Sequence, residues 1–194
     1  MTLPTPSARR ALHTRQTTFN GYLREDGLWE IEAELRDTKP YAFDSHGRGH
    51  MEPGEPVHHM ALRITVDDTM TIKDIVTSMS SFPQDACILA ADPMRSMIGV
   101  TMGPGWRKAI ESRLGGVKGC THLRELLFNC ATAAYQSIPA FMEQRRRESG
   151  DPLPERAMVP FHLGKCMTWA FDSEGTKRYY PQFANYQPPP RKPK

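Results

Sequence analysis

The chain has no apolar run approaching the ~20 residues needed to cross a bilayer, which argues against a membrane span. It has no close pair of cysteines either. The four stand at 87, 120, 130 and 166, without the short spacings that mark zinc ribbons and dithiol redox sites. No apolar stretch follows Arg9 and Arg10, so the N-terminus does not read as a secretory signal. Reduced thiols in a cytoplasm are then expected, rather than a disulfide framework. A strong charge bias is also missing: 25 Lys and Arg stand against 22 Asp and Glu, a net charge of +3. Outside Arg145-Arg146-Arg147, which reads as a solvated helix end, and the tail, no basic cluster forms a face. Neither nucleic acid nor a membrane is expected as a partner.

What is present is enough for a core. The chain has 194 residues, 39% of them apolar, which fits one domain with irregular ends. Eleven scattered methionines read as core gap-fillers. Residues 1–15 carry Pro, Ser and Arg without a period and read as a flexible arm. Residues 16–180 read as a single α+β domain, and 181–194, ending QPPPRKPK, as a Pro-rich disordered tail.

Phe19–Leu23, the turn Arg24-Glu25-Asp26-Gly27 and Leu28–Arg36 form a β-hairpin pattern. Trp29, Ile31, Ala33 and Leu35 alternate with Glu30, Glu32, Glu34 and Arg36, as in a strand with one face buried. Residues 37–56, punctuated by Pro and Gly, read as a long loop, a lid or flexible insert. A second hairpin runs from His58 to Val66 and returns over Met70–Met79. Met60, Leu62, Ile64 and Val66 share one face with His58. Asp74 breaks the pattern of the return strand, as a bulge would.

After Pro83 the pattern turns helical. Pro93–Ile98 suggests a short turn, Trp106 opens a helix to about Leu114, and Gly115-Gly116 stops it. The next helix starts near Thr121, read as its N-cap. Leu123, Leu126, Leu127, Cys130, Ala131 and Ala134 form its apolar stripe, and Pro139 kinks or interrupts it. Asp151–Pro160 reads as a linker, and Gly164–Phe171 with Thr176–Tyr180 as a last hairpin. Strands first and helices afterwards predict an α+β fold: a small antiparallel sheet of hairpins packed against helices of the C-terminal half.

Cys130 lies on the apolar stripe and reads as a buried hydrophobe. Cys120 sits at a helix N-terminus, where unpaired N–H groups and the helix dipole favour a thiolate, and His122 adds an imidazole in the same turn. His58 opens a strand, and Cys87 follows its partner strand. Strand start, strand exit and helix start can converge at one sheet edge. His58, Cys87, Cys120 and His122 are therefore candidate metal ligands, a donor set suited to Zn or Fe, with an iron–sulfur centre also open. Cys166 reads equally as a further donor or a core residue. His13, His46 and His50 read as solvated, and His59 points away from the face of His58.

The block VHHMALRITVDDTMTIKDIVTSM resembles the β-hairpin of the IscU/NifU group of iron–sulfur scaffold proteins. There a liganding Asp begins a strand of the form D-x-M-x-L-x-I-x-V, and His58 takes that position here. The group also has a Cys after the returning strand, which Cys87 resembles, and a His-Cys pair opening a helix, where this chain has Cys120-Thr121-His122. Pro56 replaces a further cysteine, so the resemblance implies an IscU/NifU-like fold and a single-metal site. The runs GYLREDGLWEIEAELRDTK and GPGWRKAIESRLGGVKGCTHLRELL resemble a bacterial family defined only as domain of unknown function 2889. That likeness spans His13 to Tyr180-Pro181 and implies a bacterial, cytoplasmic protein without implying an activity.

Three functions follow from these residues. The chain binds a metal as a carrier, scaffold or small metalloenzyme. Alternatively, Cys120 is the nucleophile of a thiol-dependent enzyme, with His122 or His58 as base. In the third, it is a metal-free interaction module whose Gly/Pro loop and basic tail meet a protein partner.

Overall fold

The computed structural model describes residues 3–150 and 159–188. Among the described residues six strands are formed: β1 (Thr14–Leu23), β2 (Trp29–Thr38), β3 (Phe43–Ser45), β4 (Gly49–Met51), β5 (Pro56–Val66) and β6 (Ile72–Ser81). The helices are α1 (Trp106–Leu114), α2 (Thr121–Ser149) and α3 (Glu174–Tyr179). The chain divides into two compact units, Met1–Arg145 and Arg146–Lys194.

The first unit carries an antiparallel sheet in the order β1-β2-β5-β6. Its inner face is the alternation expected from sequence. Trp29, Ile31, Ala33 and Leu35 of β2 and Met60, Leu62, Ile64 and Val66 of β5 are all buried. They form one core with Trp106, Ile110 and Leu114 of α1 and Leu123, Leu126, Leu127, Cys130, Ala134 and Ile138 of α2. This is the predicted α+β class. The β1–β2 turn is held by the Gly27 N–H donating to the Arg24 carbonyl at 3.2 Å, with Gly27 at φ +86°, a conformation that glycine adopts without strain.

The awkward Asp74 is resolved by a bulge. Register between β5 and β6 shifts between Thr65 and Val66, so Asp74 pairs with Thr65 while Ile72 pairs with Val66. Ile72, Ile75 and Met79 then face the core and Val76 faces solvent. The long 37–56 loop contains its own small hairpin, β3 with β4. α2 continues through Pro139 from Thr121 to Ser149, so the proline does not interrupt the helix. Thr14 and Arg15, the last two residues of the stretch read as an arm, are the first two of β1.

The second unit corrects the expected last hairpin. Gly164–Phe171 forms successive turns, and α3 occupies the place of the return strand. Ser173 caps α3 by accepting from the Thr176 N–H at 3.1 Å, so a serine read as part of a hairpin turn starts a helix instead. Cys166 lies in those turns and is exposed, which removes it from any core. Pro181–Phe183 forms a 3-10 turn with Phe183 buried. Most of the Asp151–Pro160 linker and positions 189–194 of the tail lie outside the described residues.

Candidate metal centre

The site grows from one row of the sheet. Arg15 of β1 pairs with Asp37 of β2, and Asp37 pairs with His58 of β5. Side chains alternate along a strand, so Asp37 continues the inward series Trp29, Ile31, Ala33, Leu35 by one step. A carboxylate is thereby placed on the buried face, where only 3% of its side-chain surface is exposed.

A buried carboxylate needs partners, and Asp37 has three. Arg15 grips it bidentately, Nε to Oδ1 and Nη2 to Oδ2, each at 2.8 Å. His13 Nε2 lies 3.0 Å from Oδ1 and His58 Nδ1 3.0 Å from Oδ2. An ionised carboxylate only accepts, so both imidazole nitrogens carry their protons. Burial opposes ionisation of Asp37, but Arg15, His13 and His58 outweigh it and hold its pKa down at about 2. Burial acts on His58 in the opposite sense to its partner: desolvation lowers the His58 pKa against the pull of Asp37.

The fourth member arrives from α2. The Cys120 carbonyl accepts from the Arg124 N–H at 3.0 Å, so Cys120 rather than Thr121 occupies the N-cap, and His122 falls in the first turn. Burial raises the Cys120 pKa, but His122 and the backbone N–H groups of Leu123 and His122 more than compensate, and the net shift is downward. The backbone donors are those an N-cap oxygen would ordinarily engage. Cys120 Sγ stands 3.7 Å from His122 Nδ1. The other nitrogen of that ring, Nε2, stands 3.9 Å from Asp37 Oδ2. The His122 and His58 rings lie against each other, centroids 3.9 Å apart and planes tilted by 33°.

Among the described residues, Asp37, His58 and His122 present three donor atoms that all lie within 4.8 Å of one another. Of the four ligands expected from sequence, His58 and His122 are in this group. Cys120 touches it through His122. Cys87 is in the 3-10 turn Asp85–Ala90, half-buried and packed on the core, and outside the group. The sequence pattern ends β2 at Arg36, two residues short of its end at Thr38, and so leaves Asp37 out; carrying the alternation one step further finds it. His13, expected to be solvated, is a partner of Asp37. Cys130 is fully buried and its thiol is pushed up by desolvation, as the apolar stripe predicted.

Fold and site together define an α+β protein in which a buried Asp and two half-buried His cluster where a sheet meets a helix N-terminus. The chain belongs to the family described as Protein of unknown function (DUF2889), whose model matches residues 13–136. That span takes in His13, Arg15, Asp37, His58, Cys87, Cys120 and His122. No curated protein and no solved structure matches the chain. No helix among the described residues is long and apolar enough to cross a membrane.

Proposed function

We propose that the chain binds one divalent transition-metal ion, zinc or iron(II), through Asp37, His58 and His122. The observation that carries this is the convergence of a carboxylate and two imidazoles, from β2, β5 and α2, on one point. Donors around a tetrahedral ion with bonds of about 2.1 Å lie about 3–3.5 Å apart. Asp37 Oδ2 and His58 Nδ1 already stand at 3.0 Å, and His122 Nε2 at 3.9 Å from the same oxygen needs only a small approach. One carboxylate with two histidines suits zinc and iron(II) better than calcium or magnesium, which prefer oxygen throughout. The grouped donors include no thiolate, which favours a single ion over an iron–sulfur cluster.

Three protein donors leave a coordination position open, the arrangement of catalytic rather than structural zinc sites. A small metalloenzyme therefore fits better than a scaffold. Coordination through His58 Nδ1 requires the ring proton to move from Nδ1 to Nε2, a change of tautomer and not a net release of a proton. Metal analysis after anaerobic purification, with zinc and iron(II) titrated into the apo-protein, tests this. About one equivalent is expected, and loss of binding in His58→Ala and His122→Ala.

A second reading rests on a separate observation. Cys120 Sγ, His122 and Asp37 stand in line, at 3.7 Å and 3.9 Å, in the order nucleophile, base and orienting carboxylate. Activity that survives complete chelation but is lost in Cys120→Ser would favour this thiol enzyme over the metalloenzyme.

A further inference from the structure

The partner that most nearly saturates Asp37 is a cation already in the protein. Arg15 takes both carboxylate oxygens, including Oδ2, the atom nearest both His58 and His122. Its third donor is committed elsewhere: Nη1 lies 2.5 Å from Glu125 Oε2. Glu125 stands on α2, one turn beyond Cys120, and its side chain is half exposed. The guanidinium therefore bridges two carboxylates, one buried in the metal group and one at the surface.

We propose that Arg15 is a resident counter-cation of Asp37 that competes with the incoming metal, and that Glu125 sets how readily it gives way. The inference rests on the metal site proposed above and concerns its regulation. Two effects of Arg15 oppose each other. Its hydrogen bonds orient Asp37, which would aid a metal, as the outer partners of liganding carboxylates do. Its charge offsets that of Asp37, which would hinder a dication.

The second effect wins for two reasons visible in the geometry. Orientation of Asp37 is redundant, since β2 pairs on both sides at this residue and His13 holds Oδ1. The charge is not redundant: among the described residues Arg15 is the arginine or lysine paired with Asp37. Outer partners that assist a metal leave the liganding oxygen open, whereas Arg15 Nη2 sits on Oδ2 itself. Glu125 supplies the alternative partner toward which Arg15 shifts on loading. Metal binding is thereby linked to release of the start of β1 from Asp37, and by reciprocity anything that draws Arg15 to Glu125 raises metal affinity.

Zinc affinity of the full-length chain, measured by competition with a chelating dye, tests the proposal in four forms: wild type, Arg15→Gln, Glu125→Gln and the double variant. Arg15→Gln is expected to bind zinc about tenfold tighter, as loss of a nearby opposing charge requires. Glu125→Gln is expected to bind several-fold weaker, and that weakening should vanish in the Arg15→Gln background. Glu125 is at the surface, so its variant reports even if Arg15→Gln folds poorly. Equal or weaker zinc binding by a folded Arg15→Gln overturns the competition. So does an effect of Glu125→Gln that persists without Arg15, or no effect at all. If neither wild type nor any variant takes up zinc or iron(II), the metal reading itself fails and this inference falls with it. Zinc uptake by wild type with the signs of the two single variants reversed instead leaves the metal reading standing and removes only the role of Arg15.

Discussion

Asp37 Oδ2 and His58 Nδ1 face each other at 3.0 Å across the β2–β5 pairing, with the carboxylate buried and ionised. The pair is where the physics of the sheet and the chemistry of the site meet. Strand alternation carries Asp37 inward and antiparallel register sets His58 opposite it. α2 then brings His122 against the His58 ring.

Replacement of Asp37 by Ala should destabilise the fold, because Arg15 and His58 lose the partner they share in a poorly solvated site. Removing one member of a buried charge pair costs about 3–5 kcal/mol. Arg15 can still turn to water and to Glu125, since a third of its side chain is exposed, so a loss of about 2 kcal/mol is expected. Urea unfolding at neutral pH checks it.

Acid should weaken the fold in a definite window. Asp37 has its pKa lowered to about 2 from the ordinary 3.8. The unfolded chain therefore binds the proton first, and the stabilisation present above pH ~4 is lost as pH falls toward 2. The denaturant midpoint of the wild type should drop more steeply between pH 4.5 and 2 than that of Asp37→Asn. Parallel curves would contradict the assignment.

Cys120 should react with iodoacetamide as a thiol of lowered pKa, its alkylation rate reaching a plateau at lower pH than a free cysteine does. In His122→Ala that inflection should move up, because the nearest partner at 3.7 Å is gone. Mapping the modified peptide by mass spectrometry separates Cys120 from the exposed Cys166. Cys130, fully buried, should stay unmodified until the protein unfolds.

Gly21 of β1 lies so close to α2 that a Cβ would meet Ser137 Oγ at 2.6 Å and its Cβ at 2.9 Å. Gly21→Ala should cost about 1–3 kcal/mol through this overlap. Pairing it with Ser137→Gly should recover part of the loss, which a double-mutant cycle on the thermal midpoint reads directly.

Much of this architecture was legible because its signals are local. The alternation of Trp29, Ile31, Ala33 and Leu35 and the stripe of Leu123, Leu126, Leu127 and Cys130 each lie within one element, and both are buried as expected. The hairpin turn at Arg24–Gly27 and the helix stop at Gly115 are of the same kind. The site was legible only in part. His58 and His122 announce themselves by their places at element ends. Asp37 and Arg15 owe their roles to one register row across three strands, which no local pattern contains, and His13 reaches Asp37 from just ahead of β1. Arg15 reads as an arm residue because a polar edge strand has no apolar period to reveal it. Cys87 reads as a ligand from its chemistry and its place after a strand. A short 3-10 turn packs it on the core instead, and the third member of the group with His58 and His122 is the Asp37 carboxylate of β2.

The most direct test is the metal content of full-length protein purified without oxygen or chelator, read beside His58→Ala and His122→Ala prepared in parallel. The account predicts about one equivalent of zinc or iron in the wild type, or its uptake by the apo-protein, and little in either variant. A wild type that holds no metal and takes up neither ion, or variants that bind as the wild type does, would contradict it.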